Sequence, residues 1–492
     1  MTWFFICFLV LQSVFCNAEM QKENEIFRYS GSDGSMVKLL KLENKLKKNL
    51  EVIGKDLQDK LNMIKLYQTM LEHIPLTGLK KQEEYVANPL NAFALLRRLQ
   101  QDWPKWLAYL GHQTKMEKMQ KHLKLVPSEK DLQTAVEGLL RIESVYNLET
   151  SHMAKGLLLD TQYNSYLTTP DCIALAERLF NDTEYARSSH WYRTAMRLYR
   201  QPYDTLFSRV LGLKRKKLNR LYAQAIVNEP DNTKTPPADG IDPSWQELAE
   251  KMTKNAIRES SSDKITHMVD KYLAVDEKIY INLRAKYKPR PKAMERACRG
   301  LWPERKTDHL SCRYVYENSA YLKLAPMKLE QLSLEPVVQL YHDVLYDSEI
   351  KAIKNMSVPE AKAKRVELNI NQRVADMTGY GMMEHNKLHV LNFALGQGAD
   401  TKSCKARADR IATIVFYAND VAIGGATIFP KLRLLVQPRR GTALLWYNLN
   451  ADGAADPLAK HAVCPVVLGS RWAITKCMEQ EQRRPSKKLC LA

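Results

Sequence analysis

The sequence lacks a second long apolar run. After residue 18, no stretch of the 492-residue chain approaches the roughly 20 apolar residues that a membrane-spanning helix needs, so no membrane span is expected. Residues 3–15 are almost wholly apolar, and Cys16 and Ala18 provide small side chains at the third-last and last positions. This pattern predicts a cleavable signal peptide over residues 1–18 and a mature protein in a lumen or outside the cell. A buried amino-terminal helix is the alternative.

Acidic residues are scarce relative to basic ones, with 55 Asp and Glu against 74 Lys and Arg and a net charge of +19. Such an excess can indicate nucleic acid, a membrane surface or an acidic partner. The basic residues are spread along the chain, and a signal peptide makes nucleic acid an improbable partner. We therefore expect no nucleic-acid partner and favour a solvated basic surface. The carboxy terminus lacks a Lys-Asp-Glu-Leu-type retrieval signal, so retention in a lumen would depend on a partner.

Cysteine is sparse and, once the signal peptide is removed, odd in number. Seven of the nine cysteines lie beyond residue 18. In an oxidising compartment, near neighbours such as Cys298 and Cys312 are plausible disulfide partners, and at least one thiol stays unpaired. Two sequons fit the same compartment and predict glycosylation of Asn181 and Asn355.

The amino-terminal region, residues 19–144, is predicted to be helical. Over residues 36–75, apolar side chains recur at steps of three and four with Lys and Glu between them. This spacing is typical of a long amphipathic or coiled-coil helix, and hence of a self-association surface. One helix of a monomeric bundle is the alternative.

Residues 145–229 predict paired antiparallel helices, one over 171–180 and the next over 186–199. Small residues at the helix crossings and the terminal Pro230 suit a tetratricopeptide-like pair. Aromatic rings in a helical groove can stack on an extended proline-rich peptide. The tyrosines predicted to do so are Tyr163, Tyr166, Tyr185, Tyr192 and Tyr199. Core packing is the alternative for each ring.

Proline, glycine and serine then mark a predicted linker over residues 230–263, which includes the Ser260, Ser261 and Ser262 run. A connecting region follows over 264–336. Over 337–492 the pattern changes to short strands of period two between Gly- and Pro-bearing turns, as in an all-β sandwich or jelly roll. The predicted fold is therefore multidomain α+β, with a helical amino-terminal half and a carboxy-terminal double-stranded β-helix.

Short segments along the chain carry a family resemblance. In the carboxy-terminal domain they are residues 371–379, 410–413, 416–417, 424–430, 441–443, 446–449 and 461–465. In the preceding part they are residues 88–93, 146–148, 298–300 and 311–314. In this order they resemble the collagen prolyl 4-hydroxylase alpha subunits, and the resemblance covers nearly the whole mature chain.

That resemblance implies a dimerising helical region, a tetratricopeptide-like peptide-binding domain and a dioxygenase domain. The family works in the endoplasmic reticulum with protein disulfide isomerase as beta subunit. It 4-hydroxylates prolines of collagen-like peptides with Fe(II), 2-oxoglutarate, oxygen and ascorbate. The resemblance also implies two disulfides, Cys298 with Cys312 and Cys464 with Cys490.

Family members bind iron through His-x-Asp on one strand and a second His on a later strand. His461 stands at the second His position. Arg471 stands where the family usually has the lysine that pairs with the far carboxylate of 2-oxoglutarate, and a guanidinium can bind a carboxylate through two hydrogen bonds. In an ungapped reading, Lys402 and Cys404 occupy the His and Asp positions, in a segment shorter than in the family.

The resemblance therefore implies a relative with lost or reduced catalysis and retained peptide and partner binding. Two alternatives stay open. One is an active procollagen-proline dioxygenase with an unconventional iron shell, and the other is a purely structural subunit that pairs with an active chain.

Overall fold

A computed structural model describes residues 51, 55, 57–75, 77–110, 129–200, 202–229, 254–285, 291–302, 309–354, 360–380, 388–393, 396, 410–450 and 452–479. The chain divides into two compact units, residues 1–71 and 72–492. In the first unit, residues 57–71 are helical, as predicted, and Leu57 and Leu61 are 50% and 43% exposed. Most of the earlier part of the predicted 36–75 helix lies outside the described residues.

The second unit begins with a series of helices. Their bounds are α1 Leu79–Ala87, α2 Pro89–Arg97, α3 Trp103–Leu110, α4 Glu129–Tyr146, α5 Thr150–Ala154, α6 Thr169–Asn181, α7 Tyr185–Leu198, α8 Tyr203–Arg209, α9 Arg215–Asn228, α10 Lys254–Glu259, α11 Ser262–Ala274, α12 Glu277–Ala285 and α13 Ala293–Cys298. A π-helical turn, Arg98–Asp102, joins α2 to α3, and a small hairpin of β1 Leu157–Leu158 and β2 Thr161–Gln162 precedes α6. None of the helices in the described residues is both long enough and apolar enough to cross a membrane.

A buried ion cluster fixes the first helices against α6. The Arg97 guanidinium donates to both carboxylate oxygens of Asp102 at 2.6 and 2.7 Å, and its Nε donates to Asp171. Asp171 also caps α6, because it accepts the backbone N–H and the hydroxyl of Thr168 at 2.7 and 2.6 Å. All three charged side chains are at most 2% exposed. Loss of Arg97 would therefore take a buried positive charge away from two buried carboxylates, which is costly.

The helices predicted over 171–180 and 186–199 are present as α6 and α7, which pack against each other. Their classification as a tetratricopeptide-like pair stays a prediction. The predicted linker contains regular structure at its end, since α10 and the start of α11 lie within residues 230–263. The serine run at the end of the predicted linker belongs to a helix start. Ser261 is the amino-terminal cap of α11, and its hydroxyl accepts a hydrogen bond from Lys264 N–H at 3.4 Å.

The carboxy-terminal part is built on antiparallel sheets. Its strands are β3 Cys312–Val315, β4 Met327–Leu334, β5 Val337–His342, β6 His389–Phe393, β7 Arg410–Tyr417, β8 Ile423–Gly424, β9 Thr427–Phe429, β10 Leu434–Val436, β11 Ala443–Tyr447, β12 Ala462–Val463, β13 Val466–Leu468 and β14 Arg471–Glu479. Within the described residues, a large sheet has the order β3-β4-β5-β11-β7-β14-β6, and smaller sheets have the orders β10-β9-β12 and β13-β8. A large antiparallel sheet with smaller ones is consistent with the jelly roll expected from the period-two pattern.

The period of two separates the two faces of the large sheet. On β7, Ile414 and Phe416 face a core shared with the helices α14 Asp347–Lys354 and α15 Glu360–Thr378. Val415 and Tyr417 face the opposite core, which includes Phe429 of the smaller sheet. Alternation along one strand thus directs Tyr417 to the interior between the sheets, where the candidate site lies.

The disulfide expectation was wrong. Cys298 is bonded to Cys464, across 166 residues, so neither Cys298–Cys312 nor Cys464–Cys490 is formed. The cause is tertiary packing: helix α13 lies against the smaller sheet, in a buried cluster with Ala426, Ile428 and Ala462. Cys312 is an exposed free thiol on β3, and Cys490 lies outside the described residues.

Helix α4 joins the helical half to the jelly roll. The Tyr146 hydroxyl donates to the Pro465 carbonyl at 2.9 Å, and Arg141 donates to the Gly396 carbonyl at 3.3 Å. Gly396 N–H in turn donates to the carbonyl of Val466, the first residue of β13, at 2.9 Å, so Gly396 lies beside that strand. Gly396 has a φ of +66°, and a Cβ built there would lie 1.8 Å from the Gly138 carbonyl oxygen, which only glycine permits.

Candidate functional site

A buried guanidinium lies in the interior between the sheets. Arg471 is the first residue of β14 and is 2% exposed. Its Nη2 donates to the Thr427 hydroxyl at 3.1 Å, and that hydroxyl lies 2.8 Å from the hydroxyl of Tyr417. The Nε of Arg471 is buried with no hydrogen-bond partner in the described part of the chain. These three residues, Arg471, Thr427 and Tyr417, form a cradle in which Arg471 Nε is a donor that the described part of the protein does not use.

Among the described residues, no carboxylate lies within ion-pair distance of the Arg471 guanidinium, which contacts the Thr427 hydroxyl instead. Burial lowers the pKa of the guanidinium, and contact with Tyr417 opposes that shift. A buried cation without a counter-ion is costly, whereas an anionic ligand would remove most of that cost. The geometry suits a carboxylate.

Aromatic and small residues form the walls of the cradle. The guanidinium carbon lies 5.2 Å from the ring centroid of Tyr417 and 5.4 Å from that of Phe393. A Cβ at Gly425 would lie 3.4 Å from the Cδ of Arg471 and 3.2 Å from Val421, so glycine leaves room beside the aliphatic stem. These contacts fix the position of the charged head.

His461 lies in the turn between the 3₁₀ helix Pro457–Ala459 and β12. Its ring packs on Trp446 at 4.5 Å and on Phe429 at 5.7 Å between centroids. Its Nδ1 is 3.1 Å from the Ala459 carbonyl, and because a carbonyl only accepts, Nδ1 carries the proton and Nε2 keeps a lone pair. Burial lowers the pKa of His461, the Ala459 hydrogen bond opposes this, and the charge of Arg471 adds to the lowering. The neutral imidazole is thus suited to donate electrons to a metal.

The remaining expected iron positions, Lys402 and Cys404, lie outside the described residues. Within the described ranges, no group of three or more His, Cys, Asp or Glu side chains could hold a metal ion. His461 is a single suitable donor, and an ammonium at position 402 cannot serve as a metal ligand. The donors that the described residues supply do not form a facial iron triad, whereas the residues around Arg471 fit 2-oxoglutarate.

The five tyrosines of the helical region separate into two groups. Tyr192 is fully buried, and Tyr199 is 5% exposed with its hydroxyl donating to the Leu213 carbonyl at 2.9 Å. These two rings belong to the core, which was the alternative for each of them. Tyr166 is 40% exposed, and Tyr163 and Tyr185 are partly exposed, so they can reach a ligand.

The two sequons also differ. Asn181 is exposed at the end of α6, and Asn355 lies outside the described residues. Glycosylation of both asparagines stays a prediction.

Sequence reasoning missed the supporting residues of the cradle. Tyr417 and Thr427 lie in segments that carry the resemblance, but nothing in a linear pattern indicates that β7, β9 and β14 bring them to one guanidinium. No sequence pattern indicated that Phe393 contacts the guanidinium. Its position follows from the pairing of Arg471 with Phe393 on β6.

Two family models match the chain. Residues 32–160 match the prolyl 4-hydroxylase alpha-subunit, N-terminal region, and residues 377–479 match the 2OG-Fe(II) oxygenase superfamily.

Two relatives, both prolyl 4-hydroxylase alpha subunits, agree with these two matches. The human prolyl 4-hydroxylase subunit alpha-1 is 29% identical over 92% of this chain and 94% of its own length. The chicken subunit alpha-2 is 26% identical over 90% of this chain and 92% of its own length. A crystal structure of a viral collagen prolyl hydroxylase from Paramecium bursaria Chlorella virus-1, in complex with 2OG, shares 19% identity over 30% of this chain and 96% of that chain, with a TM-score of 0.24. From the two family regions and the near-complete coverage of these relatives, the chain belongs to the family of collagen prolyl 4-hydroxylase alpha subunits.

Proposed function

We propose that this chain is an alpha-subunit-like protein that retains the dicarboxylate pocket but has lost, or greatly reduced, prolyl 4-hydroxylation. Its remaining work is to bind proline-rich or collagen-like peptides and a partner subunit. The observation that carries the proposal is the buried guanidinium of Arg471, which lies next to the Thr427 hydroxyl and has no carboxylate partner among the described residues. Lys402 and Cys404 stand at the positions where the family has its His and Asp ligands.

The chain's own residues define what the pocket would do. Arg471 and Thr427 would hold the far carboxylate of 2-oxoglutarate by charge-assisted hydrogen bonds. His461, held neutral by burial and oriented by Ala459, would direct Nε2 to the metal. In the family, the iron would supply oxygen activation when bound. Lys402 would oppose its binding, because an ammonium repels a dication.

Titration calorimetry with 2-oxoglutarate, in the presence of Mn(II), tests the pocket. Arg471→Met should weaken binding by about tenfold or more, because it removes charge-assisted hydrogen bonds. Arg471→Lys restores the family's usual residue and should retain binding. Arg439→Met removes an exposed arginine and is the matched control. Equal binding by the wild type and Arg471→Met would contradict the assignment.

Iron content after reconstitution with Fe(II) and 2-oxoglutarate tests the loss of catalysis. We expect far less than one equivalent of iron and no turnover on a proline-rich peptide. The double variant Lys402→His, Cys404→Asp should regain iron if only the ligands were lost. One equivalent of iron with turnover by the wild type would instead establish the alternative, an active dioxygenase with an unconventional shell.

We further propose that the protein acts in the lumen of the endoplasmic reticulum, or is secreted, with protein disulfide isomerase as its partner and ascorbate as the reductant of any residual turnover. The relatives are named as alpha subunits, which supports assembly with a second chain. Co-expression with the isomerase followed by size-exclusion chromatography tests this. Co-elution supports the proposal, and secretion of a free chain under the same conditions contradicts it.

Self-association through the amino-terminal helix is a separate proposal. Leu57 and Leu61 lie one helical turn apart and stay exposed, which favours an apolar contact with another helix. Leu57→Lys with Leu61→Lys should shift the oligomer to monomer in sedimentation, whereas Lys55→Glu, at an exposed position two residues before Leu57, should not. An unchanged sedimentation profile would favour a helix of a monomeric bundle.

A further inference from the structure

A cleft of about 490 Å³ opens on the face of the jelly roll that carries α15, away from the Arg471 pocket. It lies between the last turn of α15, the start of β4 and the end of β5. Its polar lining includes Ser319, Lys328, Asp343, Arg373 and Asp376. The proposed dicarboxylate and peptide sites use none of these residues.

Asp376 differs from the other charged residues that line the cleft, because among the described residues it has no cationic partner. Its side chain is in the last turn of α15 and the residue is only 8% exposed. The carboxylate accepts one hydrogen bond, from the Gln372 amide at 3.1 Å, and no cation of the described residues lies within ion-pair distance of it. An acidic group is unfavourable at a helix carboxy terminus, and the last turn of α15 contains no basic residue to compensate. Burial adds a desolvation cost.

The cations that line the cleft are already paired with other acids. Lys328 is 2.7 Å from Asp343, and Arg373 makes two 3.0 Å hydrogen bonds to Glu349. Both pairs are therefore neutral overall. Within the described part of the chain, Asp376 is left as the uncompensated charge of the cleft.

Two other features favour a cationic occupant. The Ser319 hydroxyl is buried in the cleft and has no hydrogen-bond partner among the described residues, so its oxygen can accept a hydrogen bond from a ligand. At the mouth, the ring of Tyr321 is 61% exposed and can pack on an aliphatic stem or a cation. The carboxyl end of α15 adds the negative end of its dipole.

We propose that this cleft binds the cationic side chain of a lysine or arginine presented by a peptide. The ammonium or guanidinium would donate to Asp376 and Ser319, and its methylene stem would lie on Tyr321. Because the chain carries a net charge of +19, long-range attraction cannot draw such a ligand, and recognition depends on this local acid.

Saturation-transfer NMR on the full chain tests the proposal with Nα-acetyl-lysine methylamide, its arginine counterpart and the uncharged norleucine counterpart. The lysine or arginine probe should bind and norleucine should not. Asp376→Asn, which keeps the shape and removes the charge, should weaken binding by about tenfold. Asp343→Asn removes an acid of the same cleft that is already paired, and should change binding by less than about twofold.

Thermal unfolding of the same variants gives a second measure. Asp376→Asn should raise the melting temperature of the ligand-free protein, because it removes an unpaired buried charge at a helix carboxy terminus. A lower melting temperature together with no binding of either charged probe would mean that a basic residue of the chain itself occupies the cleft, which overturns the proposal. Equal binding of lysine and norleucine would overturn it as well.

Discussion

Cys298 at the end of α13 and Cys464 after β12 are joined by a disulfide, although 166 residues separate them. The bond ties the connecting region to the strand segment that follows His461. Non-reducing peptide mapping should therefore recover one linked peptide pair that contains Cys298 and Cys464. Recovery of Cys298 with Cys312, and of Cys464 with Cys490, would contradict the structure and restore the pairing implied by the family.

Removal of this bond should lower stability. Cys298→Ala with Cys464→Ala should reduce the free energy of unfolding by about 2–5 kcal/mol, as is usual when a long loop loses its crosslink. Urea unfolding followed by tryptophan fluorescence measures the change. Cys312→Ala removes an exposed thiol and is the control, with an expected change within about 0.5 kcal/mol.

Arg97 stabilises the helical half through the two carboxylates that it contacts. Arg97→Met should destabilise the protein by about 3–5 kcal/mol, because Asp102 and Asp171 are buried and would both lose the guanidinium that contacts them. Arg178→Met is the matched control. Its ion pairs with Glu137 and Asp182 are about one-third exposed, so a loss of less than about 1 kcal/mol is expected. Similar losses in the two variants would show that the buried cluster is not a major stabilising element.

Much of this architecture was available from residue patterns. Periodicity predicted α6, α7 and the strands of the carboxy-terminal domain, because each depends on neighbours a few positions away. The ordered segments also identified the family, and the family's spacing from His461 made Arg471 a candidate for the dicarboxylate site. Contacts between residues far apart in the sequence could not be predicted from these patterns. The partner of Cys298 depends on the packing of α13 against the smaller sheet, and Tyr192 lies in the core because other helices cover it.

Gly396 permits the close contact between α4 and the jelly roll. Gly396→Ala should destabilise the protein by about 1–3 kcal/mol, because the new Cβ meets the Gly138 carbonyl and the backbone has a positive φ. Gly453→Ala separates the two causes, since Gly453 has a φ of +78° and open space around it. Its smaller loss, measured by urea unfolding, would isolate the strain of the backbone. Equal losses in the two variants would rule out the contact with Gly138.

The thiols of Cys172 and Cys312 should differ in their reactivity in the folded protein. Burial raises the pKa of Cys172 well above its usual range, so its thiol stays protonated in the folded state. Cys312 is an exposed free thiol, so iodoacetamide should alkylate it much faster than Cys172 in the folded protein. Peptide mapping by mass spectrometry measures both rates. Rapid labelling of Cys172 in the folded protein would contradict its burial.

The same shift has a consequence for stability. Because the unfolded chain loses the Cys172 proton at a lower pH than the folded chain does, stability should fall as pH rises above about 8.5. Cys172→Ala should show a shallower decline over that range in thermal unfolding, measured against Cys312→Ala. Identical alkaline profiles for the two variants would exclude a contribution from Cys172.

Helix α4 lies in the region matched by the alpha-subunit amino-terminal model, whereas Gly396 and Pro465 lie in the region matched by the oxygenase model. The two regions are therefore not interchangeable parts. A chimera that takes its oxygenase region from a relative would need side chains complementary to Tyr146, Arg141 and Gly138 at this joint. Substitutions on one side of the contact constrain those on the other, so the two regions are expected to diverge together rather than independently.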